Sequence, residues 1–249
     1  MRTLGIDLAA QPRSTGACVV DWLAGRAEAT IVDGILDDDR LVARADEADV
    51  VGIDVPLGWP DAFVAGLASH HAGRQWPSEL ADRLPLRYRR TDLVVAAVTG
   101  VRPLSVSSDL IAVCAFRGAV LQAGLAARWG EAPARDGSGR LVEVYPAGAL
   151  RVWGLPARGY KGRRGAAVRS AIVDALVAAC PWLAIAAEAV ERCRRRDHDL
   201  DALVAALVTR AAAIGATARP DPAEAEAAVR EGWIHLPTAG LGDLGNVGP

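Results

Sequence analysis

Two carboxylates in this sequence stand at the end of apolar segments of strand length. Asp7 ends the run LGID, and Asp54 ends the run VVGID. Burying a carboxylate costs several kcal/mol unless it is paired, hydrogen-bonded or bound to a metal. A single acid at a strand end is often a turn or cap residue. The repeated Gly-Ile-Asp ending instead favours a shared chemical role for the two acids.

Three further titratable residues follow later in the chain. Glu143 lies near the end of the apolar run LVEVYP, and the segment DHDLDA places His198 and Asp201 three residues apart, on one face of a helix. Helix capping explains one acid of that segment but not all three. Glu143 and His198 could instead be solvent-exposed residues without a chemical role. Hard carboxylate oxygens favour Mg²⁺ or Mn²⁺ over zinc.

The elements that must position these residues begin with a strand meander. Short β-type runs separated by Pro and Gly predict three antiparallel strands, and an amphipathic pattern predicts a helix before the strand that ends at Asp54. The three strands are predicted at residues 3–9, 16–22 and 27–33, and the helix at residues 37–48. A strand, helix, strand crossover makes the fourth strand parallel to a meander strand. If that neighbour is the first strand, Asp7 and Asp54 lie side by side.

The rest of the chain predicts one more central strand and several helices. Residues 141–146 form the fifth strand, 108–129 a long helix and 233–236 a short strand; further helices are predicted at 147–153, 165–179, 199–214 and 222–231. We expect a single α/β domain over residues 1–249, with a five-stranded mixed sheet in the order 3-2-1-4-5 and helices on both faces. Residues 60–105 are expected as an insertion over the acidic end, and 215–249 as a C-terminal extension.

Together these motifs resemble the ribonuclease H-like superfamily, and more narrowly the predicted nucleases catalogued as the domain of unknown function 429 family. The resemblance rests on the two Gly-Ile-Asp strands, the Glu-Val-Tyr-Pro strand and the helix containing His198 and Asp201, and it covers nearly the whole chain in order. The His198-x-x-Asp201-Ala202 pattern is also similar to the terminal catalytic helix of RuvC-type Holliday junction resolvases. Those relatives carry Glu on strand four, where this chain has Asp54.

The resemblance implies a metal-dependent nuclease that hydrolyses a nucleic-acid phosphodiester by two-metal-ion chemistry. Such chemistry needs carboxylates from separate elements to hold two ions roughly 4 Å apart. Asp7 would anchor both ions, Asp54 would complete the first site and Asp201 the second, and Glu143 is a fourth candidate ligand. His198 would orient or deprotonate water. The substrate, RNA or DNA, stays undetermined, because no motif encodes recognition of groove shape or the 2′-hydroxyl.

Basic residues supply candidate substrate contacts. Arg89, Arg90 and Lys161 lie in arginine-rich stretches and could bind phosphate oxygens. Arginines in such loops are more often solvated or paired with a local acid such as Asp92. A net charge of −2 provides no general attraction to nucleic acid, so these residues would have to form a local basic patch.

Composition narrows the class of protein. The chain has 249 residues, 51% of them hydrophobic, and four scattered cysteines without metal-site spacing. Apolar stretches are interrupted by Arg, Asp or Glu, so we expect no membrane association and a cytoplasmic location. The oligomeric state is left open between monomer and homodimer.

Two other functions remain open at this stage. Gly5-Ile6-Asp7 followed by Ser14-Thr15-Gly16 also resembles the first phosphate-binding hairpin of actin-like ATPases and sugar kinases. Those enzymes duplicate the fold across a cleft, whereas this sequence contains one apparent copy. A catalytically silent module that binds nucleic acid or protein is the third alternative. Whether the acids converge, and whether the chain contains one sheet or two, distinguishes these three functions.

Overall fold

The sheet has more strands than the sequence predicts. The computed structural model describes residues 1–76 and 82–245, which form one mixed sheet of seven strands in the order β6-β3-β2-β1-β4-β5-β7. The strands are β1 (Arg2–Asp7), β2 (Gly16–Leu23), β3 (Arg26–Ile31), β4 (Val50–Asp54), β5 (Leu141–Val144), β6 (Leu183–Ile185) and β7 (Ile234–His235).

The expected mixed α/β class is confirmed, but the expected count of five strands is wrong. The inner five strands keep the predicted order 3-2-1-4-5, and one short strand is added at each edge. The segment around Ile234 was expected as a strand without a place in the sheet, and it pairs parallel with β5. Strand β6 was not predicted, because three residues are too few to show an alternating pattern.

Strand β1 is central and brings the two predicted acids together. It pairs antiparallel with β2 and parallel with β4, and Asp7 is the register partner of Asp54. The crossover between the meander and β4 contains helix α1 (Asp38–Asp46), whose N-cap Asp37 accepts a hydrogen bond from the Arg40 N–H.

Helices cover both faces of the sheet. Along the chain they are α2 (Asp61–His71), α3 (Leu84–Arg87), α4 (Arg90–Thr99), α5 (Ile111–Trp129), α6 (Pro146–Val152), α7 (Ala166–Ala179), α8 (Ala187–Arg195), α9 (Asp197–Ala213) and α10 (Ala225–Glu231). Helices α1 and α5 pack on one face, and α9 lies on the other with α6, α7 and α8 around it. Helix α9 is buried along nearly its whole length, which makes it the central helix of the fold.

The glycines of the two Gly-Ile-Asp runs let α9 lie directly on the sheet. A Cβ atom on Gly5 would stand 2.2 Å from the Ala206 nitrogen and 2.3 Å from the Ala202 oxygen. On Gly52 it would stand 1.9 Å from the Thr209 Oγ1. Any side chain at these positions would push the helix away, so glycine here is required by close packing.

The region expected as an insertion is largely helical. Residues 60–105 contain α2, α3 and α4, and α4 contacts α6, β7 and α10. Residues 77–81 of this region lie outside the described residues. The expected C-terminal extension contains α10 and β7, and its last residues, 246–249, also lie outside them.

In the part of the chain that the structure describes, one helix has the length and apolar composition of a membrane span. This helix is α5. Charged residues were expected to interrupt the apolar stretches, but those of α5 are too few to exclude a membrane span by length and composition. Its Leu121 and Leu125 are buried against the sheet side of the fold, and Arg117 forms an ion pair with Asp38 at 2.7 Å. The core helix of a globular fold passes the same test, so the finding is weak evidence for a membrane.

Candidate active site

The two strand-end acids face the central helix. Side chains alternate along a strand, so Asp7 lies on the same face as Gly5, and Asp54 on the same face as Gly52. That face is the one on which α9 packs. The intervening isoleucines, Ile6 and Ile53, belong to the core on the opposite face. The Gly-Ile-Asp motif therefore does two things: its glycine admits α9, and its aspartate points to the side where α9 carries its own acid.

That acid is Asp201, which is completely buried in the first turns of α9. Its Oδ1 accepts a hydrogen bond from the Tyr160 hydroxyl at 2.9 Å, and its Oδ2 forms an ion pair with the Lys161 ammonium. Burial raises the pKa of Asp201 to about 6, against the lowering effect of Lys161 and with a further increase from Asp7. Both oxygens of Asp201 are thus engaged by protein donors.

His198 contacts Asp7 directly. Its Nδ1 lies 2.5 Å from the Asp7 Oδ2. The contact depends on Gly16, the register partner of Asp7, because a Cβ there would lie 2.2 Å from the His198 carbonyl oxygen. The hydrogen bond to Asp7 raises the pKa of His198, and burial opposes that increase. With Nδ1 held by Asp7, Nε2 is the ring nitrogen left for another partner.

Asp54 is the uncompensated carboxylate of the cluster. Among residues 1–76 and 82–245 it accepts no side-chain or backbone hydrogen bond and forms no direct ion pair. Burial, followed by the charge of Asp7, raises the pKa of Asp54 well above its ordinary value; the charge of Lys161 opposes this increase, and Asp201 and Glu143 add to it. A carboxylate in this position would be stabilised by a cation.

Glu143 occupies a separate, fully paired network. Both of its oxygens accept hydrogen bonds from the Arg89 guanidinium, at 2.7 and 2.6 Å, and the Leu57 N–H donates to Oε2 at 3.0 Å. Arg89 also donates to Asp92, at 2.8 Å from Nη2, and to the Glu231 carbonyl oxygen. All three charged side chains of this network, Arg89, Glu143 and Asp92, are buried. The network joins the start of α4 to strand β5.

This arrangement bears on two expected site residues, Glu143 and Arg89, which also line the cavity above Asp7 and Asp54. Glu143 was expected as a catalytic residue and metal ligand, but Arg89 and the Leu57 N–H already engage its oxygens. Arg89 was expected to bind phosphate, but it is 1% exposed and its donors are directed to protein acceptors. Neither is part of the metal site proposed below. Arg90, the other arginine expected to contact substrate, lies at the surface, where it pairs with Glu224 at 3.2 Å.

A cavity of about 420 Å³ opens above the acids. Asp7, Asp54, Lys161 and His198 line it together with apolar side chains, which include Leu8, Leu104, Ile111, Val144 and Tyr145. Leu104 comes from the region expected to cover the acidic end of the sheet. The size lies within the range of pockets that bind small ligands. Lys161, expected as a substrate contact, lines this cavity while its ammonium contacts Asp201.

The contacts of Tyr160 and Lys161 with Asp201 could not be predicted from the sequence. Tyr160 is 41 residues from Asp201 along the chain, so no helical or strand periodicity connects the two. Lys161 was noticed only as part of a basic run. The local sequence Tyr160-Lys161-Gly162 is typical of a loop and does not by itself indicate a contact with Asp201.

The residues at this site fit a divalent cation in part. Within the described residues, no group of three or more His, Cys, Asp or Glu side chains stands ready to hold a metal ion. Asp7 and Asp54 nevertheless form an adjacent pair of hard oxygen ligands, and the Asp54 carboxylate makes no hydrogen bond or direct ion pair with the rest of the described chain. A bound cation would remove the repulsion that raises the pKa of Asp54.

Comparison with known proteins identifies the family but no individual relative. No curated protein matches the chain. A family model described as "Protein of unknown function (DUF429)" matches residues 5–225, which include both strand-end aspartates, Lys161, His198 and Asp201. The match covers most of the chain, and the protein therefore belongs to the DUF429 family.

Proposed function

We propose that this protein is a metal-dependent hydrolase of nucleic-acid phosphodiester bonds, with Asp7 and Asp54 binding Mg²⁺ or Mn²⁺. The observation that carries the proposal is the register of β1 and β4, which places these two carboxylates side by side at one end of the sheet. The unpartnered carboxylate of Asp54 supports a cation there. The inner strand order 3-2-1-4-5 supports a ribonuclease H-like fold.

Each residue has a distinct part in this proposal. Asp7 and Asp54 bind the ion, and Asp201, which Tyr160 and Lys161 hold in place, contributes a third negative charge from α9. His198, held through Nδ1 by Asp7, presents Nε2 to water or to the leaving oxygen. A bound divalent ion supplies Lewis-acid stabilisation of negative charge on the phosphoryl oxygens. The apolar wall of the cavity limits the access of bulk water to the acids.

The single sheet argues against the phosphotransferase alternative. Actin-like and sugar kinases place their nucleotide between two copies of the fold, and the described residues contain one sheet. A catalytically silent binding module would give no reason for placing the Asp54 carboxylate beside Asp7 without a hydrogen bond or direct ion pair from the described residues. A carboxylate that lowers stability without a partner is typical of a site retained for activity.

The test is cleavage of labelled single-stranded, duplex, hybrid and four-way-junction substrates by the purified protein with Mn²⁺. We expect cleavage of at least one substrate by the wild type and loss of that cleavage in Asp7→Asn and Asp54→Asn. Asp21→Asn is the matched control, because Asp21 is also a strand aspartate beside β1 but pairs with Arg2 at the opposite end of the strand. Equal cleavage by Asp7→Asn and wild type would refute the proposal.

A further inference from the structure

Lys161 contacts an acid of the cluster, Asp201. A residue that only binds substrate in the proposed hydrolysis would not need this contact. The Lys161 ammonium contacts Asp201 on the side opposite the Tyr160 hydroxyl. It is also close enough to Asp7 and Asp54 for their charges to act on it. Burial disfavours the ammonium form, but the charges of Asp201, Asp7 and Asp54 outweigh this and raise the pKa of Lys161. Lys161, whose side chain is 52% exposed, is therefore a positive charge at the solvent-facing edge of the cluster.

The backbone on each side of Lys161 is anchored. Arg169 of α7 is 2% exposed, and its Nη1 donates to the carbonyl oxygens of Tyr160 and Gly162, at 2.5 and 2.6 Å. The same guanidinium donates to the carbonyl oxygens of Arg194 and Arg195 at the end of α8, at 3.0 Å each. One buried side chain thus ties the Lys161 loop to the segment that leads into α9.

A second tie connects this loop to the start of α9. The Gly162 N–H donates to the Asp197 Oδ2 at 3.0 Å. Asp197 begins the helix that carries Asp201, so the loop and the acid it contacts are held in one frame. The position of Lys161 follows from buried contacts of its neighbours and does not depend on the ion pair alone. A lysine at the surface without such anchors would gain little from pairing with an acid.

We propose that Lys161 supplies the second positive charge of the site, so that the cluster binds one divalent ion rather than two. The inference rests on the proposed function and departs from the two-ion chemistry expected from the sequence. Asp7 and Asp54 hold the ion, and Asp201 is bound by Lys161. The three carboxylates carry three negative charges when ionised, which one divalent ion and one ammonium balance. A second ion would need Asp201 to release Lys161 and would leave the buried cluster with excess positive charge.

The test counts bound Mn²⁺ by calorimetry and by electron paramagnetic resonance, so its readout does not depend on activity. We expect one ion per wild-type chain and no spin coupling between ions. Lys161→Met removes the charge and frees Asp201, so we expect two ions per chain, with the coupled spectrum of a neighbouring pair. Lys161→Gln is a second neutral variant and is expected to behave in the same way.

Two controls separate charge from packing. Lys161→Arg keeps the positive charge, and Tyr160→Phe removes the other contact of Asp201 without a change in charge; we expect both to bind one ion. Two ions on the wild type would overturn the inference while the metal site of the proposed function stands. One ion on folded Lys161→Met and Lys161→Gln would also overturn it. No binding by the wild type at millimolar Mn²⁺ would instead refute the proposed function itself.

Discussion

Replacing Arg89 with methionine tests whether Glu143 belongs to a structural network or to a metal site. Arg89→Met keeps much of the apolar volume but removes every guanidinium donor to Glu143 and Asp92, leaving two buried carboxylates without their cation. Breaking a buried ion pair by removing one partner costs about 3–5 kcal/mol. That is a large part of the total stability of a typical domain, which is about 5–15 kcal/mol.

The neighbouring arginine provides a matched control for this measurement. Arg90 is mostly exposed and pairs with Glu224 at the surface, so Arg90→Met should change stability by less than about 1 kcal/mol. Urea unfolding followed by circular dichroism gives both free energies. In thermal melts, the Arg89 variant should unfold about 6–20 °C below wild type. Similar small losses from the two substitutions would refute the assignment of Glu143 to a structural network.

The same variant has a pH dependence with a defined sign. Burial already raises the pKa of Glu143 in the wild type, where Arg89 opposes the increase. Without Arg89 the pKa in the folded state rises further above that of the unfolded chain, so folding takes up a proton and stability increases as pH falls through that range. The difference from wild type should therefore be smaller at mildly acidic than at neutral pH. A constant difference would contradict this cause.

Three further predictions concern packing, a buried histidine and the acid pair. Gly5→Ala should destabilise the fold by about 3 kcal/mol or more in urea unfolding, because its Cβ meets the α9 backbone, whereas Gly139→Ala, which has space, should change stability by less than about 0.5 kcal/mol. Burial lowers the pKa of His235 to about 4, below that of a histidine in the unfolded chain. The wild type should therefore lose up to about 3 kcal/mol of folding free energy as pH falls from 6.5 towards 4. The His235→Asn variant should lose less stability over the same pH range. Asp54→Asn should raise the melting temperature of the metal-free protein and abolish the additional stabilisation by Mn²⁺; a lower metal-free melting temperature would contradict the proposed repulsion from Asp7.

The inner sheet could be predicted because its information is local. Apolar runs, turn glycines and one amphipathic helix identified the meander and the crossover, and the right-handed crossover rule leaves few positions for β4. The same reasoning located Asp7 beside Asp54. The edge strand β6 and helix α8 could not be found in this way, because β6 is three residues long and α8 is mostly polar and charged along its sequence.

The roles of the charged residues depended on partners that are distant in sequence. Arg89 and Glu143 are 54 residues apart, and Lys161 and Asp201 are 40 apart. Each side chain by itself permits a ligand, a substrate contact or a structural ion pair, and no spacing rule connects it with its partner. Only the packing of α4 against β5, and of the Lys161 loop against α9, assigns the charges to pairs.

The sequence by itself determined the mixed α/β class, the order of the five inner strands and the adjacency of Asp7 and Asp54. These follow from local periodicity and chain connectivity, which have few solutions. Tertiary structure decided which acids remain without a protein cation. It pairs Glu143 with Arg89 and Asp201 with Lys161, and within residues 1–76 and 82–245 it leaves the Asp54 carboxylate without a hydrogen bond or direct ion pair. The reason is that charge compensation acts over a few ångströms in space, and the fold alone determines which distant residues come that close.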